Sequence, residues 1–245
     1  PLYRSKDQPE LLKQVTVGFG SPLSALSFTR DGSTIYAAGT DRYIYAYDVE
    51  YMQDLNFLQR LGGEAMVTLE GGTLDNIGGV VGHTDRVHSI CSHPFLPNVI
   101  FSAGQEGRVL LWDMRQGNAN PQIFASGVFR GDTMDISAAG TTLLTGNYEH
   151  GNSLLLHEIR MPFKGQAKRP LKTYSWSGDE DRLESGRYHT QSLLNAVGWD
   201  AFENKFIIAA GQEDNLARVF EIPPEGSKRP LHIVSTLEGD APFTS

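Results

Sequence analysis

Residues 82–113 read GHTDRVHSICSHPFLPNVIFSAGQEGRVLLWD, and the reading of that stretch decides the fold. It opens on Gly82-His83. It then runs through Val87-His88-Ser89-Ile90, Val99-Ile100-Phe101-Ser102-Ala103-Gly104 and Val109-Leu110-Leu111-Trp112-Asp113, with His93-Pro94 between the first two runs. Short apolar runs broken by turns carrying Gly, Asp, Asn and Pro are what antiparallel strands require. Val99-Ile100-Phe101 is apolar at every position, the pattern of a strand covered on both faces.

The block recurs on either side. One copy runs from Leu23 to Phe28, turns at Arg30-Asp31-Gly32, and continues through Ile35-Tyr36-Ala37-Ala38-Gly39 to Tyr47-Asp48. Another has Met134-Asp135-Ile136-Ser137, Leu143-Leu144-Thr145-Gly146 and Leu154-Leu155-Leu156-His157-Glu158. The last has Leu194 to Trp199, Ile207-Ile208-Ala209-Ala210-Gly211 and Ala217-Arg218-Val219-Phe220-Glu221. The glycines closing the second run fall at 39, 104, 146 and 211, in steps of 65, 42 and 65, and the closing acidic residues follow 9, 9, 12 and 10 positions later. Each long step holds one repeat plus about twenty inserted residues. One insert spans about 49–79 and contains Tyr51 to Leu58, which reads as a helical turn or two. The other spans about 159–191 and contains the charged, apolar-poor stretch 177–189, which reads as an exposed loop.

The Gly-His opening, the small-small-Gly strand end and the Trp-Asp close stand in the register of a WD repeat. Residues 82–113 resemble that repeat nearly end to end, and the middle step matches its period of about 40–45 residues. The resemblance covers about residues 12–240 and implies an all-β chain, a WD40 β-propeller with four-stranded blades at about 21–81, 82–127, 128–178 and 190–238. Such blades cannot bury their faces alone, so they stack radially. The small residues before Gly39, Gly104 and Gly211 let backbones approach closely near the channel. Gln14-Val15-Thr16-Val17 reads as the outer strand of a blade whose other strands are absent, and the tail from Val234 to Asp240 as an outer strand and the opening of a further blade. Rings of the family have about seven blades. The expectation is therefore a fragment of a larger ring, completed by further sequence or by another chain.

The resemblance also implies a chain of side-chain hydrogen bonds through His83, Ser102, Glu106 and Trp112, with Glu106 where the family usually has Asp. Tyr47, His157 and Phe220 stand where the other blades would have Trp, so those blades are expected to be held by packing. WD proteins commonly bind peptides or domains on the rim formed by the loops leading into each blade and the turns between its middle strands. Carried onto this sequence, the rim comprises Ser21, Thr84, Arg86, Gln105, Asp132, Tyr148 and Gln212. Exposed Arg and Tyr are the strongest anchors among these.

Composition restricts the function class. The 245 residues are 40% hydrophobic and 20% charged, ordinary for a soluble globular protein, with a net charge of −8. Binding to phosphates needs a basic face, and the basic residues here are scattered, so nucleic acid is not expected as the main partner. No run approaches the ~18 apolar residues of a membrane span, so no membrane insertion is expected. The segment Pro1-Leu2-Tyr3-Arg4-Ser5-Lys6 has no apolar run after its basic residues and does not read as a signal peptide. The single cysteine, Cys91, suits a reducing compartment. The expected location is intracellular and cytoplasmic, with a cytoskeletal or ciliary assembly or the nucleus left open.

No catalytic signature is present: no His-Glu-x-x-His, no Gly-x-Ser-x-Gly and no phosphate loop. His88, Cys91 and His93 suggest a metal, but in a strand His88 and Cys91 point to opposite faces. No metal or cofactor is expected. The turns Lys168-Arg169-Pro170-Leu171 and Lys228-Arg229-Pro230-Leu231 share a sequence and read as solvated turns in which Pro fixes φ. Trp112-Asp113-Met114-Arg115 resembles the motif by which some WD proteins dock on the adaptor of a cullin-type ubiquitin ligase, with Asp113 and Arg115 facing it. The expected function is a non-catalytic protein-binding scaffold within a larger assembly. A substrate receptor of such a ligase is the second reading, and a hydrolase with active groups in the central channel is a third.

Overall fold

The computed structural model of the chain describes residues 2–4, 10–13, 22–49, 59–61, 82–113, 121–149, 153–159, 169–176, 193–201, 203–211, 216–223 and 231–239. Strands β1 (Leu2–Arg4) and β2 (Glu10–Lys13) pair as an antiparallel ribbon. The rest is four sheets of four strands, each strand hydrogen-bonded to its neighbour in sequence. The first blade holds β3 (Leu23–Phe28), β4 (Thr34–Gly39), β5 (Ile44–Asp48) and β6 (Gln59–Leu61). The second holds β7 (Val87–Ser92), β8 (Val99–Gly104), β9 (Arg108–Asp113) and β10 (Gln122–Ser126). The third holds β11 (Met134–Ile136), β12 (Thr142–Gly146), β13 (Leu154–Glu158) and β14 (Lys172–Tyr174). The fourth holds β15 (Leu194–Trp199), β16 (Phe206–Gly211), β17 (Leu216–Glu221) and β18 (His232–Glu238). This is the all-β blade architecture that the repeats imply. Gln14–Val17, Tyr51–Leu58 and residues 177–189 lie outside the described residues.

The middle strands of the second and third blades are buried on both faces because each of these blades lies between two others. Every residue of β8 is buried. Ala25, Tyr36, Ala38 and Ile44 of the first blade meet Ile90, Ile100, Leu110 and Trp112 of the second. The other face of the second blade sets Cys91, Phe101 and Leu111 against Met134, Ile136 and Leu143 of the third. Phe101 and Phe124 meet edge to face within that core, their centroids 4.9 Å apart. Between the third and fourth blades lie Leu144, Leu154, Trp176, Leu194, Ile207 and Phe220. Each large apolar side chain fully covered this way stabilises the stack by about 1.5–3 kcal/mol.

Hydrogen bonds tie the inner strands across the blades. Ser24 Oγ donates to the Val87 carbonyl at 2.5 Å, and Ser89 Oγ to Asp132 Oδ1 at 2.7 Å. The Val197 amide donates to the Asp132 carbonyl at 3.1 Å, and the Trp199 amide to Asp135 Oδ2 at 2.7 Å.

One irregularity repeats. The register slips between Leu23 and Ala25 in β3, between Val87 and Ser89 in β7, and between Leu194 and Ala196 in β15. The extra residues are Ser24, His88 and Asn195. A bulge re-aims the side chain it adds, and that positions the site.

Candidate functional site: the mouth of the channel

All three bulged residues, Ser24, His88 and Asn195, line one cavity of about 580 Å³ at the inner edge of the blades. Pro22 and Leu23 of the first blade complete its wall, together with Arg86 of the second and Arg130, Gly131, Asp132 and Tyr148 of the third. Gly131 has φ +71°, a left-handed conformation that turns the chain between Arg130 and Asp132. The Arg130 guanidinium lies 4.9 Å from the centroid of the Tyr148 ring, which fixes the height of the charge above the cavity.

The electrostatics of the cavity are set by these groups. His88 is buried, and its Nε2 has no hydrogen-bond partner among the described residues. Burial, then the Arg86 guanidinium and more weakly Arg130, hold its imidazole below the usual histidine range; Gln105 and Asp85 oppose them. Asp132 is the one acid lining the cavity among the described residues. Loss of hydration at its carboxyl pushes it above the ordinary range although the residue as a whole is exposed, and the Ser89 hydroxyl only partly offsets this. The Ser89–Asp132 contact is direct, with no imidazole between them, so it does not form an activated nucleophile.

Of the rim residues read from the sequence, the structure brings Arg86, Asp132 and Tyr148 to this cavity. Thr84 and Gln105 are exposed on the second blade, and Ser21 and Gln212 lie outside the described residues. Sequence reasoning passed over Ser24, Arg130 and Asn195, and weighed His88 only as a metal ligand before rejecting that reading. For Ser24 and Asn195 the signal available was a polar residue at the second position of an inner strand, the place His88 also takes.

His88, Cys91 and His93 separate into different surroundings. His88 lines the cavity, whereas Cys91 is buried in the core facing the third blade. Both nitrogens of His93 are used. Its Nδ1 accepts from the Phe95 and Leu96 amides at 3.2 and 3.1 Å, and its Nε2 donates to the Gly140 carbonyl at 2.9 Å.

Away from the cavity, His83, Ser102, Glu106 and Trp112 come together. Trp112 Nε1 donates to Ser102 Oγ at 2.7 Å, and Ser102 Oγ meets His83 Nε2 at 2.6 Å. His83 Nδ1 meets Glu106 Oε1. An indole can only donate and a carboxylate only accept, so the protons point from Trp112 through Ser102 and His83 to Glu106. Gly104 is what admits the ring and the carboxyl, because a Cβ there would collide with both.

The family model "WD domain, G-beta repeat" matches residues 75–113. Among solved structures, the chain is similar to the crystal structure of the Cps50 (Swd1) beta-propeller domain of Myceliophteria thermophila. The TM-score is 0.62 at 13% identity, over 91% of this chain and 61% of that one. Residues 75–113 thus match a WD repeat, and the chain has the fold of a β-propeller. It spans about three fifths of the propeller domain it matches. In the matched repeat the Trp-Asp close is Trp112, fully buried, and Asp113 at the end of β9; Arg115 lies outside the described residues. Of the two Lys-Arg-Pro-Leu turns, Lys168 and Lys228 to Pro230 lie outside the described residues, while Leu171 is 59% exposed and Leu231 1% exposed. Among the described residues no helix is long and apolar enough to cross a membrane.

Proposed function

We propose that this chain is a non-catalytic protein-binding platform within a larger intracellular assembly, and that it takes its partner at the channel mouth. The observation that carries this reading is the convergence of all four blades on one cavity whose rim presents Arg86, Arg130 and Tyr148. Arginine and tyrosine supply much of the energy of protein interfaces when they are anchored, and Arg130 is anchored by its stacking on Tyr148. A cavity of this size lies in the range of binding sites, while its titratable groups include no nucleophile paired with a base.

Affinity capture followed by mass spectrometry tests the platform, using the wild-type chain and an Arg86→Ala, Tyr148→Ala double variant. The expected outcome is a defined set of proteins with the wild type that is lost from the variant at unchanged melting temperature. The same set from both chains, or no specific protein from either, overturns the reading.

A further inference from the structure

We infer that the channel-mouth cavity binds an oxyanion, a carboxylate or phosphate group carried on a peptide segment, between Arg86 and Arg130. The inference rests on the platform reading above and specifies the chemistry of its ligand.

The net charge of the chain is −8, so a positive cavity is not a by-product of a basic composition. Yet two arginines line this one, from the loops leading into the second and third blades. Neither guanidinium forms an ion pair with a carboxylate among the described residues. The facing acid, Asp132, has one carboxyl oxygen occupied by the Ser89 hydroxyl at 2.7 Å. Its backbone carbonyl is taken by the Val197 amide. Asp132 is therefore a staple between three blades more than a counter-ion for the arginines.

His88 supplies the second observation. Its bulge places it on the cavity wall, nine-tenths buried, with Nε2 unpartnered. A buried polar atom without a partner is costly. With its proton on Nε2 the ring would donate to a ligand oxygen, and the two guanidinium groups would supply charge-assisted hydrogen bonds to the same ligand. A cationic ligand would instead face both arginines, and an apolar one would leave His88 unpartnered. An acceptor meets all three groups, and a negative charge on it adds the attraction of both guanidinium groups.

The test measures binding of three fluorescein-labelled five-residue peptides to the full 245-residue chain. The peptides are Gly-Glu-Glu-Glu-Gly, its Gln counterpart, and a version with phosphoserine at the centre of Gly-Gln-Ser-Gln-Gly. Fluorescence anisotropy is read against salt for the wild type, Arg86→Gln/Arg130→Gln, the single variant Arg130→Gln, and Arg169→Gln as a remote control. Arg130 and Arg169 are exposed, so the single variants keep the fold. The expected result is binding of an anionic peptide that weakens with salt. It falls at least about tenfold in the double variant, less in Arg130→Gln and not at all in Arg169→Gln. Tighter binding of the phosphoserine peptide than of the Glu peptide assigns the oxyanion to a phosphate ester, and the reverse order assigns it to a carboxylate. Equal binding of the Gln peptide, no binding of either anionic peptide, or binding indifferent to Arg86 and Arg130 overturns the inference. If anionic peptides fail while partner capture still depends on Arg86 and Tyr148, the platform stands and only its ligand chemistry falls.

Discussion

Two buried residues in homologous places of adjacent blades carry different physics. Trp112 and His157 both stand opposite the second residue of a middle strand, Ile100 and Leu143. Trp112 sits at the head of the chain of hydrogen bonds that ends on Glu106. Ser102→Ala strands both Trp112 Nε1 and His83 Nε2 without a partner, so it should cost about 2–4 kcal/mol. Trp112→Phe in the same background should cost less than the sum of the two single changes, because the orphaned indole is then gone. Thermal melting of the four proteins of this cycle measures the coupling; strict additivity would show that the four residues do not act as a chain. Among the described residues His157 has one hydrogen-bond partner, Thr145 Oγ1 at 3.2 Å, its ring meets Phe124 edge on, and its Nδ1 is buried without a partner. Burial pulls its pKa down to about 4. The unfolded chain binds that proton near pH 6.5. Stability should therefore fall as pH drops from about 6.5 to about 4, by about 3 kcal/mol in all, and the loss should level off below that. Urea midpoints across this range, compared with His157→Phe, isolate the effect; an equal acid slope in the variant would refute it.

At the scale of the strand, the third blade departs from the others in register. Thr34, Val99, Thr142 and Phe206 pair with the closing acids Asp48, Asp113, Glu158 and Glu221. Counting from them, Gly39, Gly104 and Gly211 take one position, and the third blade places Asn147 there instead of Gly146. In the second blade glycine makes room for His83. In the third, Asn147 fills that space and its Oδ1 accepts from the Val128 amide at 2.7 Å. The sequence showed a glycine at a strand end and could not show that pairing had moved it by one. The bulges at Ser24, His88 and Asn195 were hidden for a related reason: an added residue changes which face a side chain takes but not the residue types around it. β11, three residues long, compensates for its length through side chains. Asp135 accepts from the Ile136 amide at 2.8 Å and from Trp199 across the blade boundary. Asp135→Ala should release the Trp199 amide, raising its hydrogen-exchange rate about ten- to a hundredfold for the loss of about 1–3 kcal/mol. The Ile208 amide, in the middle of its own sheet, should stay protected; exchange that rises equally at both sites would mean that the blade, not the staple, had been lost.

On the scale of the whole molecule, the alternation of short apolar runs and turns was enough to read the blades, because each inner face is matched to a neighbour. The same matching identifies where matching stops. Ile90 and Leu26 occupy one register position, opposite Ser102 and Ala37. Ile90 faces the first blade and is 4% exposed, whereas Leu26 is 62% exposed. At the far side of the arc, Phe101 and Ile208 are equivalent, opposite Leu111 and Val219. Phe101 is fully buried against the third blade, and Ile208 is 46% exposed. Phe28, Val234 and Leu237 are also open, each at least half exposed. These side chains are of the kind that the inner blades cover; on the first blade they lie along β3, whereas Ala37 and Tyr45 beside Leu26 are buried. Exposed apolar surface binds hydrophobic probes. The 245-residue chain should therefore enhance the fluorescence of a hydrophobic dye in its native state. Leu26→Ser, Phe28→Ser, Ile208→Ser and Leu237→Ser together should lower that signal at least about threefold. Each site is already wet, so the substitutions should each change stability by no more than about 0.5 kcal/mol. Dye enhancement that is absent from the wild type, or unchanged in the fourfold variant, would show that the two faces do not behave as the uncovered sides of blades.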